Sequence, residues 1–223
     1  MRSRHAWLLC ATLVACDPFS TSDPAAPAEA GVEDAARPDA ATGGGGDAAV
    51  DAGNADVAPK GKRVFVTAAG YGGNLVQAAK TIDASFAGDG LAAADRICKA
   101  EAAIAGGGSY KAWISVVGRS AIDRFTDKGP RVSTTGARIL DAVGKPPLVA
   151  VPGPDGKASG GERLVWTGTL SNGGPAAANC ESWTSGSLIA IAGDANATDK
   201  NWTESRYAHQ CGNADVHLYC LED

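Results

Sequence analysis

The chain has 223 residues, with 20 Lys and Arg against 25 Asp and Glu and a formal net charge of −5 at pH 7. Nine of those acids fall between residues 17 and 59, so the part from Lys60 onward is close to neutral and has no basic stripe, which argues against a nucleic-acid partner. That part, Lys60 to Asp223, is long enough for one domain with a substantial core.

Residues 1–15 read as a signal peptide. Arg2 and Arg4 precede an apolar run from Ala6 to Val14, far short of the roughly 20 residues that a membrane-spanning helix needs. Leu13, Val14, Ala15 and Cys16 match the bacterial lipobox, in which small residues admit the peptidase to the bond before a lipid-modified cysteine. Cys16 is thus the expected first residue of the mature chain and its lipid attachment site, and the membrane is the expected partner of the N-terminus. Residues 16–59 are nearly all Ala, Asp, Gly, Pro, Glu, Ser, Thr, Val and Asn, with Arg37 the only base against Asp17, Asp23, Glu29, Glu33, Asp34, Asp39, Asp47, Asp51 and Asp56. Such a segment buries no core, and its like charges repel. It is predicted to be a disordered tether holding the domain on the order of 35 Å from the lipid. The expected location is the cell envelope. Asp17 beside the lipidated cysteine signals inner-membrane retention in enteric bacteria, but that rule is not general, and the outer membrane is favoured.

In the domain, residues 60–223, Arg63 to Ala68 alternates around Val64, Phe65 and Val66 and predicts a strand, followed by a loop at Tyr71 to Asn74. Leu91 to Ala105 predicts a helix started by Asp89 or Gly90. Its apolar positions, Leu91, Ala94, Ile97, Cys98 and Ala102, recur at three- and four-residue spacing and put Cys98 on the buried face. Tyr110 to Val117 predicts a second strand with Trp113 in the core, and Ser120 to Phe125 a short helical turn. Further strands are predicted at Leu148 to Val151, Leu164 to Thr167, Leu188 to Ile191 and Val216 to Leu221, between loops rich in Gly, Pro, Asn and Ser. The expected class is α+β with long irregular loops, and no repeat period points to a solenoid or propeller.

Four cysteines remain in the domain, Cys98, Cys180, Cys211 and Cys220. An even set in an exported chain reads as two disulfides, with three pairings open. His209, Cys211, His217 and Cys220 form an alternative zinc cluster, but the spacing fits no familiar finger and an oxidising compartment favours disulfides.

Several motifs occur in a set order. They are Gly90 to Cys98 (GLAAADRIC), Tyr110 to Ser115 (YKAWIS), Arg124-Phe125, Val165 to Thr169 (VWTGT), Cys180 to Ser185 (CESWTS), Asn201-Trp202-Thr203 and Leu218 to Glu222 (LYCLE). Together they resemble the uncharacterised bacterial lipoprotein domains with a C-type-lectin-like, endostatin-like fold, over about Lys62 to Asp223. In that fold the helix cysteine pairs with the last-strand cysteine and the two inner cysteines pair across the long loop. The resemblance therefore implies Cys98 with Cys220 and Cys180 with Cys211.

Calcium-dependent lectins of this fold use Glu-Pro-Asn or Gln-Pro-Asp and Trp-Asn-Asp triplets, and neither kind occurs here, so the resemblance speaks to fold more than to sugar binding. The loop Gly193 to Glu204 offers Asp194, Asn196, Asp199, Asn201 and Glu204 as hard oxygen ligands for calcium, although, counted from Asp194, it lacks the glycine at the sixth place and the acid at the twelfth of an EF-hand. Trp183 and Trp202 flank polar loops, where each reads either as core or as a stacking platform. With Asn179, Glu181, Asp199, Asn201 and Glu204 they make up the predicted ligand surface, gathered at the base of one loop. No serine-nucleophile elbow, zincin helix or Ser-x-x-Lys motif is present, and an enzyme is not expected. The leading reading is a lipid-anchored extracytoplasmic binding module for a glycan or protein ligand. The alternative is a structural envelope lipoprotein packing against peptidoglycan or a partner lipoprotein.

Overall fold

The computed structural model describes residues 61–223. The signal peptide, Cys16, the tether and Lys60 lie outside the described residues. The domain is α+β, with two sheets, few helices and two disulfides.

The larger sheet has the order β2-β8-β1-β3-β4. β1 (Lys62–Val66) lies at its centre, antiparallel to β8 (Tyr219–Glu222) and parallel to the two-residue β3 (Arg131–Val132). β2 (Tyr110–Ala112) pairs with the other side of β8, and β4 (Arg138–Leu140) with β3. Alternation along a strand sends successive side chains to opposite faces, and here both faces are buried. Phe65 and Cys220 enter one cluster with Ala94, Ile97 and Cys98, whereas Val64, Val66, Tyr219 and Leu221 enter a second with Trp113, Phe125 and Ile139.

α2 (Gly90–Glu101) packs on the first of these faces, capped by Asp89, whose carboxylate accepts the Ala92 N–H at 2.8 Å. It ends four residues before the predicted Ala105. Glu101, 8 % exposed, turns its carboxylate to the Ala68 and Ala69 N–H groups and the Tyr71 hydroxyl, and the following residues fold into turns up to Gly106. The preceding α1 (Leu75–Ile82), capped by Asn74, was not predicted; only Leu75 and Ala79 of it are buried.

The smaller sheet is β5-β6-β7, formed by β5 (Leu164–Trp166), β6 (Ile189–Asp194) and β7 (Ala208–Gln210), all antiparallel. A bridge between Val165 and His217 joins it to the segment entering β8. The strand predicted at Leu148 to Val151 is corrected. This segment donates single hydrogen bonds, Leu148 to the Ile139 carbonyl and Val151 to that of Ala195, and joins no ladder.

The disulfides are Cys98–Cys220, which ties α2 to β8, and Cys180–Cys211. The alternative zinc cluster is thereby corrected. Cys211 and Cys220 belong to different bridges, and His217 Nδ1 lies 2.8 Å from the Thr67 carbonyl oxygen. Among the described residues no helix is long and apolar enough to cross a membrane.

Candidate functional site

The chain between β6 and β7 builds an exposed ledge around one inward anchor. Trp202, 2 % exposed, lies 5.1 Å from the Trp113 ring and 5.5 Å from Tyr219 in the second core cluster. Its carbonyl accepts the Tyr219 hydroxyl at 2.9 Å, and Gly193 of β6 lies so close that a Cβ there would sit 1.9 Å from the same oxygen. With the indole held inward, Thr203 beside it is buried too, whereas Asp199, Lys200 and Arg206 are exposed and Asn201, Glu204 and Ser205 partly so. A single turn of 3₁₀ helix, Lys200–Trp202, is capped by Asp199, whose carboxylate accepts the Asn201 N–H at 2.9 Å and the Asn201 Nδ2 at 3.0 Å. Glu204 Oε2 accepts the Ser171 N–H at 2.6 Å, which draws a neighbouring hairpin against the ledge.

Two clefts flank this ledge. One, about 470 Å³, is lined by Ser171, Asp199, Lys200, Asn201 and Glu204. The other, about 240 Å³, is lined by Glu162, Asp194, Tyr207 and His209. Asn201, Ser205 and Arg206 line both. Tyr207 is 72 % exposed, and Lys200 and Arg206 form no ion pair among the described residues. The arrangement thus combines an open aromatic face, a guanidinium fork and several hydroxyl, amide and carboxylate groups. These can stack on and hydrogen-bond a polar guest. In a groove of about 500 Å³ along α2 most charges are already matched, Arg96 with Asp83, Lys111 with Asp223 and Asp95 with Arg124, and only Lys99 forms no ion pair among the described residues.

The structure brings together Asp199, Asn201 and Glu204 of the predicted ligand surface and separates the rest. Trp183 is corrected as a stacking platform: it is fully buried, its Nε1 donates to the Ser115 carbonyl at 2.9 Å, and its ring lies 6.0 Å from that of Trp166. Trp202 is corrected on the same ground, since its ring is enclosed. Asn179, 3 % exposed, is a capping residue whose side chain accepts the Ser182 N–H. Glu181 is exposed but lines neither cleft. The Cys180–Cys211 bridge therefore does not gather one surface from both segments. It pins a left-handed turn at Cys180 to Trp183, where φ is 51, 51, 55 and 69°.

The proposed calcium ligands are likewise engaged locally. Asp194 accepts the Asn196 N–H, Asn196 donates to the Gly161 carbonyl, and Asp199 and Glu204 hold the contacts given above. Among the described residues no three His, Cys, Asp or Glu side chains converge on a common point that would hold a metal ion. Arg206, Tyr207 and His209 belong to no recognisable motif. The one signal for them in the sequence is an aromatic between charged and polar neighbours in a segment without apolar periodicity. No protein-family model matches the chain, and neither does any curated protein.

Proposed function

We propose that the chain is a lipid-anchored extracytoplasmic binding module with a C-type-lectin-like domain, which recognises a glycan or protein ligand at the ledge between β6 and β7. The observation that carries this reading is the pair of clefts sharing Asn201, Ser205 and Arg206 beside the exposed Tyr207 ring. A pyranose ring or a polar protein epitope finds there an aromatic face together with donors and acceptors. Recognition does not use the calcium-dependent lectin triplets, which the sequence lacks. The reading is of a binder and not of an enzyme: all four domain cysteines are joined in disulfides, and the two clefts are built of groups suited to hydrogen bonding.

The purified protein, screened on glycan and envelope-protein arrays with and without calcium, supplies the ligand. Tyr207→Ala and Asp199→Ala are then expected to weaken binding by about 1 kcal/mol or more each, with the melting temperature nearly unchanged in Tyr207→Ala and lowered in Asp199→Ala by the lost cap, worth about 1 kcal/mol. Trp183→Ala serves as the contrast and should cost about 3–5 kcal/mol of stability, as large aromatic truncations in a core do. Unaltered affinity in both ledge variants would place the ligand elsewhere on the domain.

A further inference from the structure

We propose that Asn172 is a site of spontaneous covalent modification, deamidating through a succinimide, and that the carboxylate formed there releases the hairpin tip from Glu204. Seven asparagines occur in the chain, and only Asn172 is followed by glycine. The backbone nitrogen of Gly173 attacks Asn172 Cγ, the new N–Cγ bond forms, and the Cγ–Nδ2 bond breaks. The departing nitrogen leaves as ammonia, carrying the proton that the backbone nitrogen gave up. Water then opens the five-membered ring at either carbonyl, leaving aspartate or isoaspartate. The net change is NH2 replaced by OH, and nothing is oxidised or reduced. A residue with no Cβ leaves its nitrogen open to this approach.

The local geometry suits the reaction. Leu170 donates its N–H to the Gly174 carbonyl at 2.8 Å and accepts the Gly173 N–H at 2.9 Å, with Gly173 at φ +85°. This is a three-residue hairpin loop closed by a left-handed glycine. Ser171 and Asn172 are exposed. The Gly174 N–H donates to Asn172 Oδ1 at 2.9 Å, so a donor already lies on the oxygen that becomes anionic when Cγ is attacked. The Gly173 N–H must first leave the Leu170 carbonyl. That opening displaces no packed side chain, because a Cβ built on Gly173 meets nothing within 4 Å. Every other asparagine precedes a residue that carries a side chain, and Asn179 is buried as well.

The consequence follows from the preceding residue. Ser171 N–H is held by Glu204 Oε2 at 2.6 Å, and a second carboxylate at position 172 repels that acid, while isoaspartate also lengthens the backbone of the tip. The purified full chain, incubated at mildly alkaline pH and physiological temperature, tests this by peptide mapping and hydrogen exchange. The expected result is a gain of about 1 Da in the peptide holding Asn172 before any other asparagine reacts, abolished by Asn172→Ala. In the modified protein the Ser171 amide should exchange roughly tenfold faster. Deamidation that begins at another asparagine, or none at all, overturns the site, and unchanged Ser171 exchange in fully modified protein overturns the release.

Discussion

Four consecutive residues with side chains, Cys180 to Trp183, hold left-handed backbone angles, which costs on the order of 1–2 kcal/mol at each. Their side chains and neighbours offset this. Cys180 is bridged to Cys211, Trp183 fills the core, and Asn179 accepts the Ser182 N–H through its side chain and the Trp183 N–H through its carbonyl. Gly90 at the start of α2 must be a glycine, since a Cβ there would lie 1.9 Å from the Ser182 carbonyl oxygen. Gly90→Ala is expected to lower stability by about 2–4 kcal/mol in denaturant titration, because the backbone it strikes has nowhere to yield. Glu181→Gly, on the exposed part of the same turn, should instead raise stability by about 0.5–1 kcal/mol, since glycine adopts positive φ without penalty. A loss of stability in Glu181→Gly would mean that the turn is not left-handed. At the end of β8, burial would raise the Asp223 carboxyl, but the Lys111 ammonium at 2.5 Å and the Thr126 N–H and hydroxyl outweigh it and hold the pKa down to about 2. The folded value lies below the ordinary 3.8, so this group stabilises the fold above that pH and the contribution is lost as pH falls from 3.8 through about 2. Urea titrations at a series of acidic pH values should show this loss, and Lys111→Met should shrink it.

Among the elements, those with a strong period were legible in the sequence. β1 and β8 alternate, α2 repeats its apolar face every three or four residues, and each was recognised within a few residues of its observed bounds. β3, β4 and β7 have only two or three residues each, too few for a period to register, and the mixed polarity of Arg131–Val132 and Ala208–Gln210 hides them. α1 is short and buries two side chains, so its local signal is equally weak. The disulfide pairing came from family resemblance, because spacing left three pairings open. At the site, the polar run Asp199, Asn201 and Glu204 was visible, but which way a loop tryptophan faces is a tertiary property. Trp183 and Trp202, each set among polar residues, both turn inward. The bridge at the left-handed turn gives a further test: Cys180→Ala with Cys211→Ala should cost up to ~3.5 kcal/mol by the chain-entropy argument, plus whatever the released turn contributes. Non-reducing peptide maps should first show Cys98 linked to Cys220 and Cys180 to Cys211, and a loss under about 1 kcal/mol would mean that Asn179 and Trp183 hold the turn unaided.

For the whole molecule, the proposed anchor makes a separate prediction. Cys16→Ser removes the sulfur that accepts the lipid, so the protein should leave the detergent phase or persist as uncleaved precursor. Membrane partitioning of a cleaved Cys16→Ser chain would show that something else holds it. Were the chain anchored as proposed, any tension on it would enter the domain where β1 begins. β1 lies between β8 and β3 at the centre of the larger sheet, and β8 is crosslinked to α2 through Cys98 and Cys220. A pull on residue 61 directed along β1 therefore strains the ladder bonds to both neighbours in shear, all together, instead of unzipping them one at a time. The crosslink keeps β8 from sliding with it. A load entering at residue 61 therefore meets ladder bonds on both sides of β1 and a covalent stop on β8, and no strand there is free to peel from an edge.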